Sequence, residues 1–392
     1  MGGGIRRSIA LAASVSFIVA ACNGGGASSA PSSKASSAPT SAGSAAPSSS
    51  AAAASVPARA AVRLQLQWYP QAQFAGYFAA DEQGFYEAEG LDVTMVPGGG
   101  TIAPQTAGSA PNGPEFTIAW VPKVLQAREA GSDLVDIAQI FQRSGTLSVS
   151  WKDSNISKPL DFKGKKIGVW DFGNEFEVTA GAKKVGLEQG TDYEKVIQDF
   201  NMSLLLSKSI DVAEAMIYNE YAQMLEATNP ATGNLIQPTE LNVINWNDHG
   251  SAMLQDALFA RASWLAQPGN EAIATRFLKA SFRGWIYCRT NPKDCVQYTV
   301  NAGSTLPGGH QAWMMNEINP LIWPSPNGIG VLDQASWLQT VAISKDAAII
   351  KADPPADAYR TDLAAAALAG ITEDAKGTDF VKGEVVVTPG GN

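Results

Sequence analysis

The chain is poor in the residues that build metal centres. Its 392 residues include two histidines, His249 and His310, and three cysteines. A histidine-rich metal site is therefore not expected, and no metal is assigned. Positive charge is also short, with 28 Lys and Arg against 37 Asp and Glu, a net charge of −9. That balance argues against nucleic acid as a partner, because phosphates demand a cationic surplus. It argues equally against a polybasic hold on anionic lipid. No Gly-x-Ser-x-Gly elbow is present, and Gly98-Gly99-Gly100 lacks the following Lys and Ser/Thr of a phosphate-binding loop. Nothing in the spacing of Glu175, Glu220 and Asp248 requires a general acid and base, so they read as ligand-bonding or helix-capping groups. Glu175 falls in the first turn of a predicted helix, where the dipole favours a carboxylate in any case. No catalytic residue is expected.

The N-terminus has the shape of an export signal. Arg6 and Arg7 precede the apolar stretch Ser8 to Val19, which is too short to span a bilayer. It leads into Val19-Ala20-Ala21-Cys22, which resembles a bacterial lipobox. Residues 1–21 are read as a lipoprotein signal peptide and Cys22 as the lipidated first residue of the mature chain. Residues 22–60 are read as a linker of Ser, Ala, Gly and Pro, unable to bury enough apolar surface to order itself. The expected location is the cell membrane, on its extracytoplasmic face, through a lipid anchor. Cys288 and Cys295 remain. Outside the cytoplasm such a pair suits a disulfide closing a short loop between two helices; the alternative is one free thiol on each helix.

The chain as a whole has a globular composition, with 45% apolar and 17% charged residues. Val62–Trp68, Leu91–Val96, Phe116–Trp120, Val135–Gln142 and Thr146–Trp151 read as strands. A second series follows at Lys166–Trp170, Val196–Phe200, Val212–Ile217 and Leu241–Trp246. Helices are read between them, at Gln73–Gln83, Pro122–Ala130, Glu175–Val185 and Tyr221–Ala227. Strands alternating with helices imply mainly parallel sheets flanked by helices. Residues after about Gly250 read as mostly helical, notably Glu271–Arg289. The division expected is lobe 1 over 61–155 and 250–392, and lobe 2 over 156–249. Open α/β sheets bind ligands beyond the carboxyl ends of their strands.

Those ends carry aromatics beside amides or carboxylates. The positions are Trp68, Gln71, Gln73, Phe74 and Tyr77 after the first strand, and Trp120 after the third. In the second series they are Trp170, Phe172, Asn174 and Glu175, then Tyr218, Asn219 and Glu220, then Asp248. An aromatic supplies a flat apolar wall, while an amide or carboxylate reads ring nitrogens and carbonyls. The pairing suits a planar heterocycle.

The run Trp68 to Tyr77, with Asp81-Glu82-Gln83-Gly84-Phe85-Tyr86, Glu89-Gly90-Leu91-Asp92-Val93 and Pro97-Gly98-Gly99, resembles the NMT1/THI5-like family. The resemblance covers roughly residues 62–345. It implies a two-lobe, type II periplasmic-binding-protein fold, with the ligand in the interlobe cleft. It also implies a receptor role for an ABC importer, whose membrane permease would be the partner. Within the family, Gln71-Ala72-Gln73-Phe74-Ala75-Gly76, Gly173-Asn174-Glu175-Phe176-Glu177, Tyr218-Asn219-Glu220-Tyr221 and Trp246-Asn247-Asp248 look most like the riboflavin-binding components. The resemblance thus implies a monomeric receptor with riboflavin as cargo and no cofactor. A thiamine pyrimidine precursor of the hydroxymethylpyrimidine type is the alternative cargo. Receptors for that class tend to carry an Asn-x-x-His loop where Gln71 to Phe74 stand here. The family's fungal enzyme uses a cysteine-rich motif, and this body has no cysteine before Cys288.

Overall fold

The structure, a computed structural model, describes residues 58–392. The signal peptide read over 1–21, Cys22 and the linker up to residue 57 lie outside the described residues. The linker expected up to residue 60 stops short of it, because Ala60 already opens the first strand.

Among the described residues ten strands form two five-stranded sheets. They are β1 (Ala60–Gln65), β2 (Leu91–Val96), β3 (Phe116–Trp120), β4 (Leu134–Gln139), β5 (Thr146–Trp151), β6 (Lys166–Val169), β7 (Glu194–Ile197), β8 (Val212–Met216), β9 (Leu241–Asn245) and β10 (Asp256–Arg261). The first sheet has the order β2-β1-β3-β10-β4 and the second β7-β6-β8-β5-β9. In each sheet four strands run one way and one opposes them: β10 is antiparallel to β3 and β4, and β5 to β8 and β9. The sheets are therefore mixed. The central strands β3, β8 and β10 are buried along their whole length, as strands covered by helices on both faces must be.

The opposing strands correct two expectations. β5 lies in the second sheet, although the sequence pattern carries lobe 1 to residue 155. The chain thus leaves the first sheet at about residue 140. β10 is a strand inside a stretch expected to be mostly helical. Periodicity gives it no signature, because all six residues of Asp-Ala-Leu-Phe-Ala-Arg are buried and none marks a solvent face.

The two crossings are tied together by one buried carboxyl. Glu177, on the helix Phe176–Lys184, accepts from Ser144 Oγ at 2.7 Å, Gln255 Nε2 at 3.1 Å and the Met253 amide at 3.2 Å. Burial pushes this carboxyl up to about 8, against those hydrogen bonds.

The long helix Asn270–Thr290 backs the first sheet and packs on the helix Ala75–Glu82. The contact is close because Gly76 faces the Trp285 ring and Gly284 faces the Gly76 carbonyl. Cys288 and Cys295 form a disulfide joining this helix to Pro292–Asn301. The C-terminal residues, expected in lobe 1 with the rest of 250–392, finish against the second lobe: Val387 packs on its core, and Gly391 lies beside Glu226. Among the described residues no helix is long and apolar enough to cross a membrane.

Candidate ligand-binding site

Between the sheets lies a narrow cleft of about 30 Å³, lined by Gln67, Trp68, Gln71, Gln73, Trp120, Trp170, Asn174, Met216, Tyr218, Asn219 and Glu220. That is far below the usual range for small-molecule sites, about 300–1,000 Å³, so the lobes must part to take such a ligand in. Every lining residue ends a strand or follows one. Gln67 to Gln73 follow β1, Trp120 ends β3, Trp170 and Asn174 follow β6, and Met216 to Glu220 end or follow β8. The walls are aromatic. The Trp68 and Trp170 ring centroids lie 6.4 Å apart across the lobes, with Phe200 5.8 Å from Trp68.

The polar groups are fixed by few partners. Asp256 opens β10, and because that strand runs backwards its first residue lands at the carboxyl ends of its neighbours. Its carboxyl accepts from Trp120 Nε1 at 2.8 Å and Gln73 Nε2 at 2.9 Å. Asn174 joins the lobes, its Oδ1 accepting from Lys123 Nζ at 2.6 Å and Gln67 Nε2 at 3.2 Å. Two polar atoms of the lining, Gln67 Oε1 and Trp68 Nε1, are buried without a protein partner. An acceptor and a donor left unsatisfied cost free energy unless a ligand pairs them.

Known proteins resemble this chain in sequence and in fold. The family described as NMT1/THI5 like matches residues 71–295. The chain belongs to that family. A relative named riboflavin-binding protein RibY, from Chloroflexus aurantiacus, is 24% identical over 295 residues, 72% of this chain and 80% of the relative. A putative thiamine biosynthesis protein of Haemophilus influenzae is 28% identical over 102 residues, 26% of this chain and 32% of its own length. Among solved structures, the periplasmic aliphatic sulphonate binding protein SsuA of Escherichia coli superposes with a TM-score of 0.54 at 15% identity, over 75% of this chain and 89% of that one. By fold, then, the chain is similar to that periplasmic binding protein.

Within this family scaffold the structure sorts the residues expected from the sequence. Trp68, Gln71, Gln73, Trp120, Trp170, Asn174, Tyr218, Asn219 and Glu220 line the cleft. Five others do not. Phe74 and Tyr77 are core residues behind it, Tyr77 meeting Trp285 edge to face. Phe172 is 45% exposed on the outside of its loop, with a left-handed φ of 62°. Glu175 folds back as a helix-start group, accepting from the Gly173 amide at 2.9 Å. Asp248 is exposed on the short helix Trp246–His249. Helix starts and strand ends look alike in sequence, because both favour short polar residues. Four residues of the site, Gln67, Met216, Lys123 and Asp256, are absent from the sequence reading. Gln67 adjoins Trp68 and is within reach of the strand-end rule; Lys123 reads as an ordinary first-turn lysine, and Asp256 needs β10 to be known.

Buried charge around the cleft predicts a pH dependence. Burial pushes the carboxyls of Asp256 and Glu220 up to about 7, and holds Glu214 well above the carboxylate range. Away from the cleft, burial raises Asp136 to about 8. Each raised acid binds its proton in the folded state where the unfolded chain has lost it. Its contribution is therefore present at low pH and is lost as pH rises through the folded value, at about 1.4 kcal/mol for each tenfold difference in proton affinity between the two states. Lys123, which burial lowers to about 7, acts with the opposite sign, but only above that pH. The thermal midpoint is expected to fall by several degrees from pH 5 to pH 8. Calorimetry across that range checks it.

Proposed function

We propose that this protein captures riboflavin outside the membrane and hands it to the permease of an ABC importer, held near the membrane by a lipid on Cys22. The observation that carries the ligand is the cleft itself. Trp68, Trp120, Trp170 and Tyr218 offer flat walls around unpaired Gln67 Oε1 and Trp68 Nε1, which suits a wide planar ring with both donors and acceptors on its edge. Gln71, Asn219 and Glu220 would take the ribityl hydroxyls. The likeness to RibY supports the same ligand.

Charge narrows the choice further. Glu214, Glu220 and Asp256 stand around the site against a single ammonium, that of Lys123, which is already engaged by Asn174. Glu214, raised well above the carboxylate range, keeps its proton, but Asp256 and Glu220, pushed up to about 7, carry part of a negative charge at neutral pH and repel an anion. The site therefore favours a neutral ligand over a sulfonate or a phosphorylated flavin. A hydroxymethylpyrimidine-type precursor is the second reading, favoured by the Haemophilus match. Calorimetric titration separates them: riboflavin should bind at one site per chain, its 5′-phosphate at least about tenfold more weakly. Equal binding of the phosphate would refute the charge argument, and binding of the pyrimidine alone would transfer the assignment to it.

A further inference from the structure

The cleft amides are not independent. They form one chain with a direction. Asn219 Nδ2 donates to Gln71 Oε1 at 3.3 Å, Gln71 Nε2 to Gln73 Oε1 at 2.7 Å, and Gln73 Nε2 to the Asp256 carboxyl at 2.9 Å. Each amide donates onward, so the chain ends at the carboxyl, a group able to receive it. Its beginning needs a matching donor, because Asn219 must point its oxygen the other way. That oxygen faces His310 Nε2 at 2.9 Å and also accepts from Gln223 Nε2 at 3.0 Å. The other ring nitrogen, Nδ1, lies 2.8 Å from the Glu226 carboxyl.

Both nitrogens of His310 thus face acceptors, and the arrangement is satisfied when both carry hydrogens. Were Nε2 to present a lone pair, Asn219 would turn over, Gln71 and Gln73 would follow, and an amide oxygen would meet the Asp256 carboxyl. The start of the chain is well enclosed. His310 is 1% and Glu226 8% exposed, and a Cβ on Gly391 would come within 2.7 Å of the His310 Cβ. The contact also joins the lobes, since His310 opens the helix Gly308–Ile322 packed on the first and Asn219 and Glu226 belong to the second.

We propose that His310 and Glu226 are positioning residues for the ligand: they fix the direction of the Asn219–Gln71–Gln73 amides that line the cleft, and they hold the lobes together around it. Three amides set in one sense leave the second hydrogens of Asn219 Nδ2 and Gln71 Nε2 as donors to a ligand's oxygens. The proposal rests on the riboflavin reading for its ligand but not for its hydrogen bonds.

The test combines riboflavin affinity, read by flavin fluorescence, with nitrogen-15 spectra of the histidine rings in ligand-free protein. The chain has only two histidines, and the H310Q spectrum assigns them by difference. His310 is expected to show two protonated ring nitrogens. H310A should bind riboflavin about tenfold or more weakly, whereas H310Q, which keeps a donor for Asn219, should stay within about threefold of wild type. Wild-type affinity in H310A, or a His310 ring with one protonated nitrogen, overturns the proposal. Failure of the wild type itself to bind riboflavin sinks the ligand reading instead, and the ring spectrum then decides the hydrogen-bond chain alone.

Discussion

Trp170→Ala and Tyr218→Ala are each expected to weaken riboflavin binding about tenfold or more, because stacking a ring on an aromatic is worth about 1–3 kcal/mol. Both side chains come from the second lobe, at the ends of β6 and β8, while Trp68 and Trp120 face them from the first. Removing either one opens a wall that the ligand closes against. Trp170 should show the larger effect. Its ring approaches Trp68 across the cleft, so its loss also removes an interlobe contact. The loss should appear in the dissociation rate, since the encounter surface is unchanged. Both side chains are also buried in the core cluster, so the melting point should fall too, and affinity is to be compared well below it. Unchanged affinity in both variants would take the aromatic walls out of the site.

Gly284→Ala should have the largest effect on folding. Alanine normally stabilises a helix interior by about 1 kcal/mol relative to glycine, so propensity alone predicts a gain. Packing reverses the sign. A Cβ at 284 would sit 1.9 Å from the Gly76 carbonyl oxygen and 2.9 Å from the Ala80 amide nitrogen, both backbone atoms that cannot rotate away. The two helices must part, and overpacking of this kind costs about 3 kcal/mol or more. The helix Ala75–Glu82 continues directly from Ala72–Phe74, so the shift reaches Gln71 and Gln73 and weakens ligand binding as well. A melting point at or above wild type would contradict the close approach of these helices.

Much of this architecture is legible in the sequence, and what escapes it shares a cause. Leu91–Val96, Phe116–Trp120 and Thr146–Trp151 have the ends their sequences predict, since β-branched or aromatic runs bounded by turn residues leave little choice. The strand-end rule then leads to nine residues of the cleft. β10 escapes because full burial erases the alternation that identifies a strand. With it go Asp256 and the lobe membership of β5, since an antiparallel strand cannot be told from a parallel one by its own residues. Lys123 and His310 escape for a further reason. Each acts through a partner on another lobe, Asn174 and Asn219, and no spacing along the chain announces such a contact.

One ligand in one cleft is the central claim. Riboflavin titrated into the purified protein, followed by flavin fluorescence, tests it directly. Stacking on the cleft tryptophans should quench the emission in a saturable way, with one equivalent bound per chain and with W170A blunting the effect. Emission that stays proportional to added riboflavin, with no saturable component, would contradict the assignment.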